Sequence, residues 1–102
     1  MTPEGKVKAK VKKILDLHDC YYFMPVTGGY GNSGVPDIVA CHEGRFIGIE
    51  CKTEGKNPTA LQYKNLKEIV EHGGEAFVIN ETNINQLKEY FNERSEQGRL
   101  VR

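Results

Sequence analysis

The chain has no long apolar run to read as a membrane span, and no signal-peptide pattern opens it. An excess of charge of either sign is also missing, since 14 Lys and Arg stand against 14 Asp and Glu. This removes the global basic surplus of many nucleic-acid binders and speaks against nonspecific coating of DNA. Any attraction to phosphate has to come from local patches. Cysteine is scarce: Cys20, Cys41 and Cys51 are odd in number and show no C-x-x-C spacing, so they read as core fillers of a reduced, cytoplasmic protein. His18, His42 and His72 are scattered and form no ligand motif with the cysteines, which argues against zinc. Internal repeats and linkers are absent, and the 102 residues read as one domain, 1–102, whose substrate preference must come from a single core.

What is present centres on two short strings. Gly34-Val35-Pro36-Asp37-Ile38-Val39 is followed, thirteen residues after the aspartate, by Glu50-Cys51-Lys52. The segments Val35 to His42 and Arg45 to Cys51 are apolar and β-rich, and the polar turn Glu43-Gly44 between them predicts a β-hairpin. A two-residue loop pairs His42 with Arg45, Val39 with Gly48 and Asp37 with Glu50. Side-chain alternation puts Lys52 on the face of Glu50 and turns Cys51 away. Two carboxylates opposite each other repel, and one lysine offsets only part of that. A hard divalent cation such as Mg²⁺ would offset the rest. The plainer reading is a surface ion pair between Glu50 and Lys52 with a solvated Asp37, and a one-residue change in the loop would undo the register.

The surrounding pattern predicts helix, strand, strand, strand, helix, strand, helix. Thr2-Pro3-Glu4 starts a helix to about His18, with Val7, Val11, Ile14, Leu15 and His18 on its apolar face and Glu4 continuing that stripe. Lys6, Lys10 and Lys13, with Lys8 and Lys12 flanking, make the densest positive patch, either a solvated face or a phosphate contact. Cys20 to Val26 reads as a strand. A glycine-rich loop then carries Tyr30, placed to stack on a base or sugar, although most loop aromatics do no such thing. Asn57-Pro58 starts the next helix, to about His72, with Leu61, Leu66, Ile69 and Val70 inward. Gln62 leans toward the core near its start, where an amide can fix a water or a phosphate oxygen or simply sit at the core edge. Lys56, just before this helix, is a further candidate phosphate contact. Glu75 to Asn80 predicts a strand, Ile84, Leu87 and Phe91 line a last helix, and Ser95 to Arg102 reads as a frayed tail.

Pro36-Asp37 with Glu50-Cys51-Lys52 resembles the PD-(D/E)XK nuclease signature, and the Gly34-Val35-Pro36-Asp37 lead-in with Gln62 resembles its VRR-NUC branch. The likeness runs from Glu4 to about Asn80. It implies a restriction-endonuclease-like α/β core, a small mixed sheet flanked by helices, in a stand-alone protein of phage or bacterial type. It also implies that Asp37, Glu50, the Cys51 backbone carbonyl and Glu4 hold Mg²⁺ or Mn²⁺, and that Lys52 and Gln62 complete the catalytic set. The implied function is a metal-dependent endonuclease on structured DNA, four-way (Holliday) junctions first, as a homodimer, with the last helix at Tyr90 and Phe91 a candidate interface. Flap, single-strand or exonuclease action on the same fold, or a non-catalytic nucleic-acid-binding module, are the alternatives. Replacing Asp37, Glu50 or Lys52 is expected to remove cleavage with little effect on folding.

Overall fold

The computed structural model describes residues 1–26 and 34–101, with side chains described through residue 94. Tyr30 and most of the glycine-rich loop lie outside the described residues. The elements are α1 (Pro3–Leu17), β1 (Tyr21–Phe23), β2 (Ile38–His42), β3 (Arg45–Cys51), α2 (Ala60–Glu71), β4 (Glu75–Ile79) and α3 (Asn85–Val101). That is the predicted order. The sheet runs β1-β2-β3-β4, antiparallel except for the parallel β3–β4 pair.

Local chemistry explains the main boundaries. Thr2 Oγ1 accepts the Gly5 amide at 3.0 Å and Pro3 opens α1, so two amides of the first turn need no helical partner. Glu43 and Gly44 have φ of 50° and 81°, the two positive values that a tight two-residue hairpin turn requires. The turn sets the predicted register: His42 faces Arg45, Val39 faces Gly48 and Ile38 faces Ile49. Gly73, with φ of 93°, ends α2, and the Gly74 amide returns to the Ile69 carbonyl at 2.8 Å.

Val7, Val11, Ile14 and Leu15 of α1 meet Leu87 and Phe91 of α3 over Ile38, Ala40, Ile47, Ile49, Cys51 and Ile79 of the sheet. The other sheet face receives α2. A Cβ on Gly48 would meet Ile69 Cδ1 at 2.5 Å and Pro36 Cγ at 3.1 Å, so this glycine is what lets α2 and the lead-in close over β3.

Several predicted details differ. β1 is only three residues long, because Pro25 follows and has no amide for a ladder. β2 begins at Ile38 rather than Val35, since Pro36 precedes it and the Asp37 side chain substitutes for a backbone rung. The cap of α2 is Thr59, not Asn57: its hydroxyl accepts from Gln62 while Gln62 Oε1 accepts from the Thr59 amide, a complete capping box. Leu61 and Val70 are exposed, so Leu66 is the buried residue of that helix. The segment expected to fray is helical to Val101, consistent with its lack of proline. Phe91 is fully buried between the rings of His18 and His42, each centred 4.9 Å away, and is unavailable as an interface residue.

Gly34 approaches α2 closely, with a Cβ there lying 2.6 Å from Leu61 Cγ and 2.7 Å from the Leu61 carbonyl oxygen. Gly34→Ala is expected to lower stability by roughly 1–3 kcal/mol in urea melts. An unchanged midpoint would show that the lead-in does not need this contact.

Candidate active site

The hairpin's open end carries the site. β2 begins one residue after Asp37, and the next backbone donor on β3, the Cys51 amide, is taken by Asp37 Oδ2 at 2.8 Å. The carboxylate thus replaces a ladder acceptor and is fixed by the sheet. Cys51 directs its amide to the β2 side, and strand geometry sends its carbonyl the same way. The Lys52 amide points oppositely, to the Ile79 carbonyl at 2.9 Å. Cys51's thiol sits in the apolar core, where burial raises its pKa to about 12. Only its backbone is available to the site.

Glu50 is 1 % exposed. Its Oε2 accepts from Gln62 Nε2 at 2.8 Å and lies 3.4 Å from Lys52 Nζ, whereas its Oε1 is buried with no hydrogen-bond partner among the described residues. Gln62 therefore has two roles, its oxygen capping α2 and its nitrogen holding Glu50. Burial first, and the nearby Asp37 charge second, raise the Glu50 pKa from 4.5 to about 7, against the opposing pull of Lys52. The plainer sequence reading, an exposed ion pair, does not describe a carboxylate this deeply buried.

Asp37, Glu50, Lys52 and Gln62 thus come together as the sequence predicts. Glu4 does not join them tightly. It shares an open groove with Lys52 and Lys56, and among the described residues no three His, Cys, Asp or Glu side chains gather as a metal cluster. The lysines separate as well. Lys10 and Lys13 line a different groove with Leu17, Ile84 and Lys88, and Lys6 is exposed. The helix lysine that reaches the carboxylates is Lys8, whose Nζ is 3.6 Å from Asp37 Oδ1. Sequence reasoning treated it only as a flanking charge. The signal was its position one turn after Glu4, on the same side of α1.

The donor set suits a hard divalent cation: two carboxylates, one with an orphaned buried oxygen, and a strand-end carbonyl on the same side. Mg²⁺ commonly uses one or two carboxylates and keeps waters or phosphate in its other positions.

The raised Glu50 pKa makes stability depend on pH. Between about 4.5 and 7 the folded protein holds a proton that the unfolded chain releases, so metal-free stability falls as pH rises through that window and then levels off. The slope is at most about 1.4 kcal/mol per pH unit. In urea melts with EDTA, Glu50→Gln is expected to flatten it, and an unchanged slope would assign the titration to another group.

No curated protein matches the chain. The family described as archaeal Holliday junction resolvase (hjc) matches residues 8–96, a span that contains Lys8, Asp37, Glu50, Lys52 and Gln62 but not Glu4. With the helices and mixed sheet of that nuclease fold in place and most of its length matched, the chain belongs to the archaeal Holliday junction resolvase family, a family of PD-(D/E)XK-type nucleases.

Proposed function

We propose that the chain is a divalent-metal-dependent endonuclease that cuts branched DNA, four-way junctions above all, and works as a homodimer. The observation that carries this reading is Glu50 Oε1, a buried oxygen without a partner beside a second carboxylate. Burying a carboxylate oxygen with no hydrogen-bond donor opposes folding, and a purely structural role does not account for it. Family membership supports the junction as substrate. The likeness of Gly34-Val35-Pro36-Asp37 and Gln62 to the VRR-NUC branch supports the same chemistry.

Asp37 and Glu50 would hold one Mg²⁺ or Mn²⁺, with the Cys51 carbonyl as a further ligand and Glu4, across the groove, as the third carboxylate that the nuclease likeness implies. When bound, the cation polarises a phosphate oxygen and lowers the pKa of water. The chain's own groups do the positioning. The Cys51 amide orients Asp37, and Gln62 holds Glu50 by Oε2, which leaves Oε1 without a hydrogen bond. Lys52 contacts Glu50 and is mostly buried, and its remaining donors can neutralise charge that develops on the phosphate during cleavage. Lys56 lies in the same groove, where it can hold a neighbouring phosphate.

The homodimer reading is supported by an uncovered apolar patch. Tyr21, Cys41 and Phe46 form one row across β1, β2 and β3, with Phe23 in the next row. Tyr21, Phe23 and Phe46 are 73 %, 49 % and 48 % exposed. An exposed patch of this kind fits a self-complementary two-fold contact. Free Cys20, Cys41 and Cys51 support a reducing, cytoplasmic setting, and no described helix is long and apolar enough to cross a membrane.

The test is cleavage of labelled four-way junction, flap, single-stranded and linear duplex DNA with Mg²⁺, Mn²⁺ or EDTA. Wild type is expected to cut junctions only with metal. Asp37→Asn, which keeps an acceptor for the Cys51 amide, is expected to fall by at least about a hundredfold, the scale of losing one strong electrostatic stabiliser. Asp37→Ala is the poorer variant, because leaving that amide unpaired costs about 1–3 kcal/mol and the expectation of little effect on folding does not hold for it. Binding without cleavage on every substrate would favour the non-catalytic module. In sedimentation equilibrium, Phe23→Lys is expected to shift a wild-type dimer to monomer, and an unaltered dimer would place the interface elsewhere.

A further inference from the structure

We infer that Lys8 is a resident counter-cation of the site: its ammonium stands beside the more open Asp37 oxygen and is displaced when a divalent ion binds there. The inference rests on the metal-dependent reading above and concerns what holds the site before metal arrives.

The argument follows the four carboxylate oxygens. Asp37 Oδ2 is committed to the Cys51 amide and Glu50 Oε2 to Gln62 and Lys52. The oxygens without a hydrogen bond among the described residues, and so the most open to an incoming cation, are Glu50 Oε1 and Asp37 Oδ1, whose neighbour is the Lys8 ammonium at 3.6 Å. The two lysines are therefore not equivalent. Lys52 sits on an oxygen the metal can leave alone and is mostly buried, so it can stay. Lys8 stands beside the more open Asp37 oxygen, and a divalent ion bound there would repel its ammonium.

Its attachment is also the weaker. Lys8 and Asp37 side chains are 38 % and 24 % exposed, a setting in which an ion pair contributes little and is screened by salt. A lysine stem projecting from a helix can swing its ammonium into water at small cost. Once Glu50 is ionised, the metal-free pair of carboxylates is balanced by two lysines, so these four groups then carry no net local charge. Metal then enters by exchange rather than into an open negative site.

The test is calorimetric titration of Mn²⁺, without DNA, into metal-free wild type, Lys8→Gln, Lys8→Arg and Asp37→Asn, each checked for folding by urea melts. Lys8→Gln is expected to bind Mn²⁺ up to about fivefold more tightly at low ionic strength, the upper scale of an exposed ion pair. The gain should shrink as salt is raised, and Lys8→Arg should remain near wild type. Unchanged or weaker Mn²⁺ binding by folded Lys8→Gln, with wild type binding and Asp37→Asn not, would overturn the inference alone. Absence of Mn²⁺ binding by wild type would overturn the metal-dependent reading and this inference together.

Discussion

The hydrogen bond from the Cys51 amide to Asp37 Oδ2 links the sheet to the chemistry. β2 begins only at Ile38, so the next donor on β3 would face a missing strand. A carboxylate supplies the acceptor instead. Backbone donors at a sheet's end must be paired or hydrated, and here the pairing also orients the side chain at the site. The same rung directs the Cys51 carbonyl toward Asp37 while its thiol stays in the core. Hairpin register, strand end and site geometry are consequently one constraint.

Glu50 shows the opposing demand. α2 covers it, and Gln62 joins helix start to site by capping with one atom of its amide and holding Glu50 with the other. The cover excludes water and raises the pKa to about 7, so a group useful for binding a cation lowers the stability of the metal-free protein near neutral pH. Two lysines moderate the conflict, each near one carboxylate. This local balance fits a chain with formal net charge of zero, in which attraction to DNA depends on where cations stand rather than on how many there are.

Legibility in the sequence followed the range of the interactions. The Glu43-Gly44 turn is local, and its geometry sets a register that places Asp37 and Glu50 together without any tertiary contact. The apolar stripe of α1 was equally legible, because Val7, Val11, Ile14 and Leu15 recur with the helical period. The start of α2 was not: Asn57-Pro58 and Thr59 are both plausible caps, and the choice depends on Gln62 reaching back to Thr59 and outward to Glu50. Phe91 read as a possible interface residue because an apolar helix position does not say whether the rest of its own chain covers it. His18 and His42, distant in sequence, do so here.

By itself the sequence determined the element order, the hairpin register and the convergence of Asp37, Glu50 and Lys52, since turn conformation and side-chain alternation act over a few residues. Only the tertiary structure decided that Glu50 is buried with one oxygen unpartnered, that Lys8 rather than Lys6, Lys10 or Lys13 reaches Asp37, and that β1 leaves an apolar face uncovered. Each depends on how helices and strands far apart in the chain pack, and burial and ion pairing take their value from that packing.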